Sequence, residues 1–586
     1  VISAPVLALL ACARHAPPPA PPAAAVATAD AAPEGRAELI YFVLVDRYAN
    51  GDPGNDGASP GPAVDPADPQ GWHGGDIRGV IDHLDDIEAL GATQVWLSPV
   101  FRTRTAPLGG WGAYHGYWQW DPTQVEPRFG TRDDLVELSE ALRARGMGLL
   151  VDLVTNHVGY SAPVADAHPD WFHDHPSIED WDDPVQLEQW RVHGLPDIDQ
   201  DKPEAAAWLT DAARAWQQTL HPTGFRVDAV RHVPNAFLAR LGATLTADGH
   251  TWWLGEDFQG DPATLADSQR TGGFTHVFDF PLYYAMTDVF CDGASPSRLA
   301  SVLYQDRQYD RPDGLVTFLD NHDLPRLATR CHEDLGAERR ALLFQLSTRG
   351  VPALTYGTEA GLSGGEEPDN RADMCFDRDV LSDVIRGAMA ERSAHPSLRG
   401  GAQRVVALGS AHVALARVAG TEAAVVGVNT GAEPVSLSLP STLDGGRLVR
   451  RLTVEGAAPL SIDAPATDVL DLPPHSVRSW VFEGAYGGWQ AEGGTVAVEI
   501  TATGTQPEGE LRLVGANPEL GGWDPARGLP LVHGERGWTG ALSLPAGAVL
   551  EGKLVEIDPD GGVQWSAAAN QSFLVPDEGG RWTVPW

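Results

Sequence analysis

An unbroken apolar run, IYFVLV at 40–45, is followed by QVWLSPV at 94–100 and GLLVDLV at 148–154. Runs without polar alternation are what parallel strands need when both of their faces are covered. Between the second and third runs, Leu135, Leu138 and Leu142 form a helical stripe over 131–146. Thr131 and Asp134 have capping-box spacing at its start, and Gly146 stops it. Further strands are expected at 224–230, 250–256, 276–280, 315–320 and 352–356, with helices at 204–220, 235–245, 338–349 and 381–394 among them. Eight strand–helix units predict an α/β fold, a (β/α)8 TIM barrel.

The pattern divides the chain further. Residues 1–36 hold the apolar stretch VLALLA and then a Pro/Ala-rich tether. The barrel pattern occupies 37–157 and 204–399, interrupted by a polar, aromatic and irregular excursion at 158–203. Short alternating strands fill 400–484. The sequence GAYGGWQAEGG then reads as a linker, and 485–586 as a second all-β unit.

Four of the expected strands end in clusters of chemically active side chains: VDLVTNH (151–157), GFRVDAVRH (224–232), WLGEDF (253–258) and TFLDNHD (317–323). Strand C-termini are where a parallel barrel assembles its active site. Glycoside hydrolysis needs one ionised and one protonated carboxyl. Asp228 follows Arg226 by two, so both face the same side of a strand, and the guanidinium keeps Asp228 ionised. Glu256 lies behind the apolar WWL, where neighbouring carboxylates raise its pKa. These are the expected nucleophile and general acid/base, with Asp323 as a third carboxylate. Taken singly, a strand-end Asp is more often a cap or turn residue.

In order and spacing, the four segments resemble those of the α-amylase family of glycoside hydrolases. GATQVWLSPV (91–100) and GVPALTYGTE (350–359) resemble its second and eighth strands, although Thr355 stands where the family often has an aromatic residue. The resemblance implies that 158–203 is the inserted domain B and 400–484 the antiparallel domain C. It makes Asp323 the residue that holds and distorts the sugar. It also implies that His157 and His322 contact substrate hydroxyls, that Asp152 and Arg226 form a buried pair, and that Tyr117 in YHGYW stacks at the cleavage subsite beside His115 and Trp118. Arg231, His232 and Phe258 join the substrate-binding set, and Arg371 in EEPDNR binds a sugar further from the cut.

The same resemblance implies calcium. Asn156, Asp197 and the His232 carbonyl match positions that bind it between domain B and the barrel, with Glu188 as a further donor. Asn50, Asp52, Asn55, Asp56, Gly74 and Asp76 match a second calcium loop, although such Asx- and Gly-rich stretches also form plain turns. Near the C-terminus, LRLVGANPELGGWDP (511–525), LEGKLVEID (550–558) and GGVQWSAAANQSF (561–573) resemble the starch-binding module of glucoamylases. Trp523 and Trp565 match two stacking rings of one glucan site, with Lys553 and Asn570 as polar partners. A second site would need a Tyr where Pro507 stands, so one working site is expected.

Charge and cysteine usage narrow the class. A formal net charge of −39 repels nucleic acid and anionic lipid and suits a neutral polymer. Four cysteines in 586 residues are not a disulfide framework. Cys12 follows Leu9-Leu10-Ala11, as in a lipoprotein cleavage site; a plain signal peptide or a disordered tail are the alternatives. Cys291, Cys331 and Cys375 allow at most one internal pair, leaving one thiol free. The expectation is a monomeric, exported or cell-surface starch hydrolase of a bacterium. The alternatives are a cyclodextrin glucanotransferase-like or maltooligosaccharide-forming enzyme and, in a different class, a non-catalytic glucan-binding surface protein. Against cyclisation, 400–493 is too short for an extra immunoglobulin-like domain, and His193 stands where those enzymes place the aromatic ring that the glucan wraps.

Overall fold

The computed structural model describes residues 37–586, except 248, 250, 444, 466–469, 487, 488, 490–492, 505, 506, 508 and 536. The leader, including Cys12, lies outside the described residues. Eight parallel strands close into a barrel: β1 (Ile40–Val43), β2 (Gln94–Leu97), β3 (Gly148–Leu153), β4 (Gly224–Val227), β5 (Trp252–Gly255), β6 (His276–Phe278), β7 (Leu315–Thr317) and β8 (Val351–Thr355). Each strand pairs with its neighbours in sequence, and β8 closes on β1 through Ile40 and Ala353. All eight coincide with the expected strands.

The expected helices are Arg132–Ala144, Pro203–Leu220, Asn235–Leu245, Leu335–Ser347 and Ser382–Ala394. The first carries its capping box: Thr131 accepts from Asp134 N, and Asp134 accepts from Thr131 N. Other helices had no sequence signal, among them Phe280–Phe290 and Ser297–Tyr304. In the first of these, all but two residues are buried, so no polar face marks its period. Cys291 and Cys331 form a disulfide bond. No described cysteine is free, which corrects the expectation of one unpaired thiol.

Residues 158–203 contain only short helices, such as Pro184–Gln189, and are tied to the barrel by isolated bridges His157–Asp197 and Phe172–Ile198. A six-stranded antiparallel sheet spans Ala402–Leu408 to Ser476–Glu483. From Thr495 onward, a four-stranded and a five-stranded sheet enclose a separate core that includes Val498, Leu513, Leu554 and Trp582. This unit rests on the barrel. Arg307 pairs with both oxygens of Glu519 at 2.6 and 2.7 Å, and Gln305 Nε2 donates to Ala516 O at 3.0 Å.

Candidate active site

Arg226 leaves β4 at the barrel mouth with its side chain 1 % exposed. Its Nη1 lies 3.1 Å from both oxygens of Asp152 and 2.6 Å from Asp228 Oδ1, and Nη2 lies 3.6 Å from Glu256 Oε2. One guanidinium thus faces three carboxylates from three adjacent strands. Trp96, at 5.0 Å, and Tyr117, at 5.7 Å, offer ring faces to it. Asp152 also accepts from Trp96 Nε1 and Tyr117 OH, each at 3.0 Å. This satisfies an otherwise costly buried group.

After Asp228 the backbone turns sharply. Ala229 adopts φ +51°, a left-handed conformation that a non-glycine residue takes only when its surroundings enforce it. The turn aims Ala229 N at Glu256 Oε2, at 2.9 Å. Burial pushes the Glu256 carboxyl well above the usual range; Asp228 and Asp323 add to this, and Arg226 opposes it. For Asp323, burial alone would raise the carboxyl, but His322 and Arg371 outweigh it and hold it below its ordinary value. Its partners are His322 Nε2 and Arg371 Nη2, both at 3.1 Å.

Burial lowers His322 to about 4, so its ring is neutral at neutral pH. Tyr117 stacks on it at 5.1 Å with only 4° between the planes, and His115 stacks on Tyr117 at 6.0 Å. Trp118 stands edge-on to His115. The structure therefore brings His115, Tyr117, Trp118 and His322 into one aromatic wall. His157 is different: its Nε2 faces Tyr117 O at 3.1 Å, so the ring positions Tyr117. Arg371 also donates to His322 O at 2.9 Å.

Arg231, His232 and Phe258 form the rim beside domain B. Arg231 Nη1 reaches Phe258 O and Nη2 reaches Trp181 O, at 3.4 and 3.5 Å. Trp181, 41 % exposed, lies 5.8 Å from His193 and 5.9 Å from His232. Sequence reasoning did not single out Trp181, because nothing periodic surrounds it. Trp96 was read only as part of a strand core.

The side-chain amide of Asn156 sits 2.8 Å from His232 O and 3.1 Å from Asp197 Oδ1. With its nitrogen turned inward, Asn156 donates to both. With its oxygen inward, three oxygens converge with no proton among them, a donor set for a hard cation. Burial raises Asp197 to about 6, against the pull of His173, whose Nδ1 lies 2.7 Å from its Oδ2. These residues fit calcium. Glu188 lies one residue beyond Leu187, whose carbonyl faces His232 Nδ1 at 2.8 Å.

The 50–56 loop is closed differently. Asp76 accepts from Gly51 N, Gly79 N, Asp52 N and Asn55 Nδ2 at 2.7–3.1 Å, which occupies its lone pairs. Asn50 donates to Asp56, and both press on Gly74, where a Cβ would come within 2.6 Å of Asn50 Nδ2. The loop closes on these hydrogen bonds, with Asp76 at its centre. Asn55 Oδ1 is buried without a partner among the described residues, an acceptor that a calcium ion in this loop would use.

In the C-terminal unit, Trp523 and Trp565 are 36 % and 40 % exposed, with ring centroids 6.3 Å apart and planes 43° apart. Two half-open rings at an angle make a concave apolar surface for sugar faces. Trp523 is presented at φ +65° by a turn that its N–H pins to Gly515 O. Lys553 lies on the strand Val549–Ile557, and Asn570 donates to Glu551.

A closed parallel barrel with clustered carboxylates at its mouth, joined to an all-β unit with paired exposed tryptophans, defines a glycoside hydrolase that carries a sugar-binding module. Residues 42–395 match the alpha-amylase catalytic domain, and the chain belongs to the α-amylase family. Residues 495–584 match the starch-binding domain. A beta/alpha-amylase of Paenibacillus polymyxa is 34% identical over 387 residues, 63% of this chain and 31% of that protein; the chain thus spans about a third of that relative. A cyclomaltodextrin glucanotransferase of Klebsiella oxytoca is 23% identical, covering 92% of both chains. The crystal structure of the Geobacillus thermoleovorans α-amylase, complexed with acarbose, superposes with a TM-score of 0.68 at 32% identity, covering 76% of this chain and 98% of that one.

Proposed function

We propose that this protein is an exported α-amylase that cleaves α-1,4-glucosidic bonds of starch with retention of configuration. The observation that carries the reading is the different setting of two carboxyls around Arg226. Asp228 is held against the guanidinium at 2.6 Å, while Glu256 is pushed well up by burial. Asp228 attacks the anomeric carbon as the C–O bond to the leaving glucan breaks, and Glu256 gives its proton to that oxygen. Glu256 then takes a proton from water, which displaces Asp228 and regenerates both groups. Asp323 holds sugar hydroxyls, and the Tyr117–His322 stack forms the platform beneath the ring.

The test is a time course of products from soluble starch. Mixed linear maltooligosaccharides with early loss of iodine colour are expected. Early cyclic products, or one dominant maltooligosaccharide with iodine colour retained, would move the assignment to a transglycosylase or an exo-acting enzyme. No products would favour a glucan-binding protein. The exposed Phe258 beside Arg231 is the feature that favours the transglycosylase, because it offers an acceptor sugar a ring at the rim.

We place granule attachment at Trp523 and Trp565. Replacing both by Ala removes about 1–3 kcal/mol of stacking per ring and should reduce binding to raw starch at least about tenfold. Turnover of soluble starch should stay within about twofold of the parent, and undiminished granule binding would end the assignment. We place one calcium ion at Asn156, Asp197 and the His232 carbonyl, where it would hold domain B against the barrel. Chelation should then lower Tm by at least about 4 °C, and an unchanged Tm would refute the ion. The Cys291–Cys331 bond supports folding in an oxidising compartment. No described helix is long and apolar enough to cross a membrane. The proposal includes a lipid anchor at Cys12 and a monomeric protein.

A further inference from the structure

Just beyond β1 the chain makes the short turn Val45–Arg47, and Arg47 is buried, with 1 % of the residue exposed. A guanidinium carries five N–H donors and keeps its charge, so burying one demands a fan of acceptors around it. Arg47 has that fan. Its Nε donates to Arg371 O, and its Nη2 to Pro69 O and Gly71 O, each at 3.0 Å. Its Nη1 donates to the carboxylate of Asp46. Its Cζ also lies 3.8 Å from the centre of the Tyr114 ring, a close cation–π contact. The ion pair of Arg47 is thus with Asp46, not with a carboxylate of the catalytic mouth.

Two of these contacts lead to Arg371. One is direct, through the Arg371 carbonyl. The other runs through Tyr114, whose OH donates to Glu367 Oε1 at 3.4 Å, while Glu367 pairs with Arg371 Nη1. The same stretch is tied down twice more: Met374 N donates to Arg47 O at 2.8 Å, and His73 Nδ1 faces Asp373 Oδ1 at 2.5 Å. The stretch itself holds one short turn, Asp369–Arg371, without a side-chain cap. Its place is therefore set by what it is tied to, the end of β1 and the 69–73 loop. From that place Arg371 donates to His322 O at 2.9 Å and to Asp323 Oδ1 at 3.1 Å.

We propose that Arg47 is a positioning residue for the reaction: it fixes Arg371, and through Arg371 the carboxylate of Asp323, where that carboxylate meets the sugar hydroxyls. This rests on the reading of Asp323 as the sugar-holding carboxylate of a starch hydrolase. The fork matters more than the charge. A lysine ammonium at this position can meet Asp46, but it cannot also span the carbonyls of Arg371, Pro69 and Gly71. Arg371 then loses its anchor, and a small displacement of a group that holds the substrate is costly in rate.

The experiment is a double-mutant cycle in the full chain: parent, Arg47→Lys, Arg371→Ala and the pair, each with kcat and KM on maltoheptaose and a recorded Tm. Arg47→Lys should lower kcat about tenfold and leave KM within about threefold. In the Arg371→Ala background the same change should cost at most about twofold, because the link it serves is already gone. A residue that only supported the fold would cost the same in both backgrounds. Equal losses would therefore overturn the proposal, as would a folded Arg47→Lys with kcat within about twofold of the parent. If Arg47→Lys does not fold, Asp46→Asn takes its place in the cycle. Its oxygen can keep the N–H groups of His73 and Gly74, while its amide turns a donor toward Arg47. A loss of about threefold that disappears with Arg371→Ala is expected there, and no loss, or an equal one, would overturn the proposal. A parent chain that left maltoheptaose uncut would defeat the starch-hydrolase reading itself, and the proposal with it.

Discussion

Glu256→Gln is expected to lower kcat on soluble starch by about 10³–10⁴-fold while leaving maltooligosaccharide affinity within about threefold. The amide keeps the shape and the contact from Ala229 N is replaceable, but it carries no proton that can be given to a leaving oxygen. The parent enzyme's rate should also fall as pH rises through the Glu256 pKa, because the acid must be protonated to act. Burial, with Asp228 and Asp323 nearby, moves that descent well to the alkaline side of an ordinary glutamate. Isothermal titration with a maltooligosaccharide, set beside the initial rate, separates the two effects. A variant that retained a tenth of the parent rate would remove Glu256 from the role of acid.

The barrel was legible because its physics is one-dimensional. A strand covered on both faces must be mostly apolar, and IYFVLV, QVWLSPV and GLLVDLV show it, with their polar residues gathered toward the strand ends. Helices with one wet face, such as Arg132–Ala144, were legible by the same logic. Phe280–Phe290 was not, because it is covered on nearly all sides and leaves no stripe to read. The carboxylates stood out because strand ends gather them in sequence as well as in space. Trp181 did not, because its contacts with Arg231 and His232 join segments far apart in sequence and no local pattern records the meeting. The 50–56 loop shows where residue types stop being informative. Its residues are brought together as the sequence implied, but Asp76 spends its lone pairs on N–H groups, four donors that residue types alone do not reveal.

Arg226→Met should be the most damaging change outside the reacting carboxyls. It removes the one cation that faces Asp152, Asp228 and Glu256, while the Met chain fills much of the same space. Asp152, with its side chain fully buried, would keep only Trp96 and Tyr117 as donors. An uncompensated buried carboxylate costs about 3–5 kcal/mol. The variant should therefore lose that stability in urea at pH 7 and recover part of it at pH 5, where protonation removes the unpaired charges. Asp228 would lose the 2.6 Å partner that holds its carboxylate in place, so kcat should fall by at least about 10²-fold even in folded protein. Arg226→Lys is the informative companion. It restores one charge, but a point ammonium cannot span Asp152, Asp228 and Glu256 as the fork does. Stability should return further than activity. If lysine restored both in full, charge alone would suffice and the fork geometry would have no part in the site.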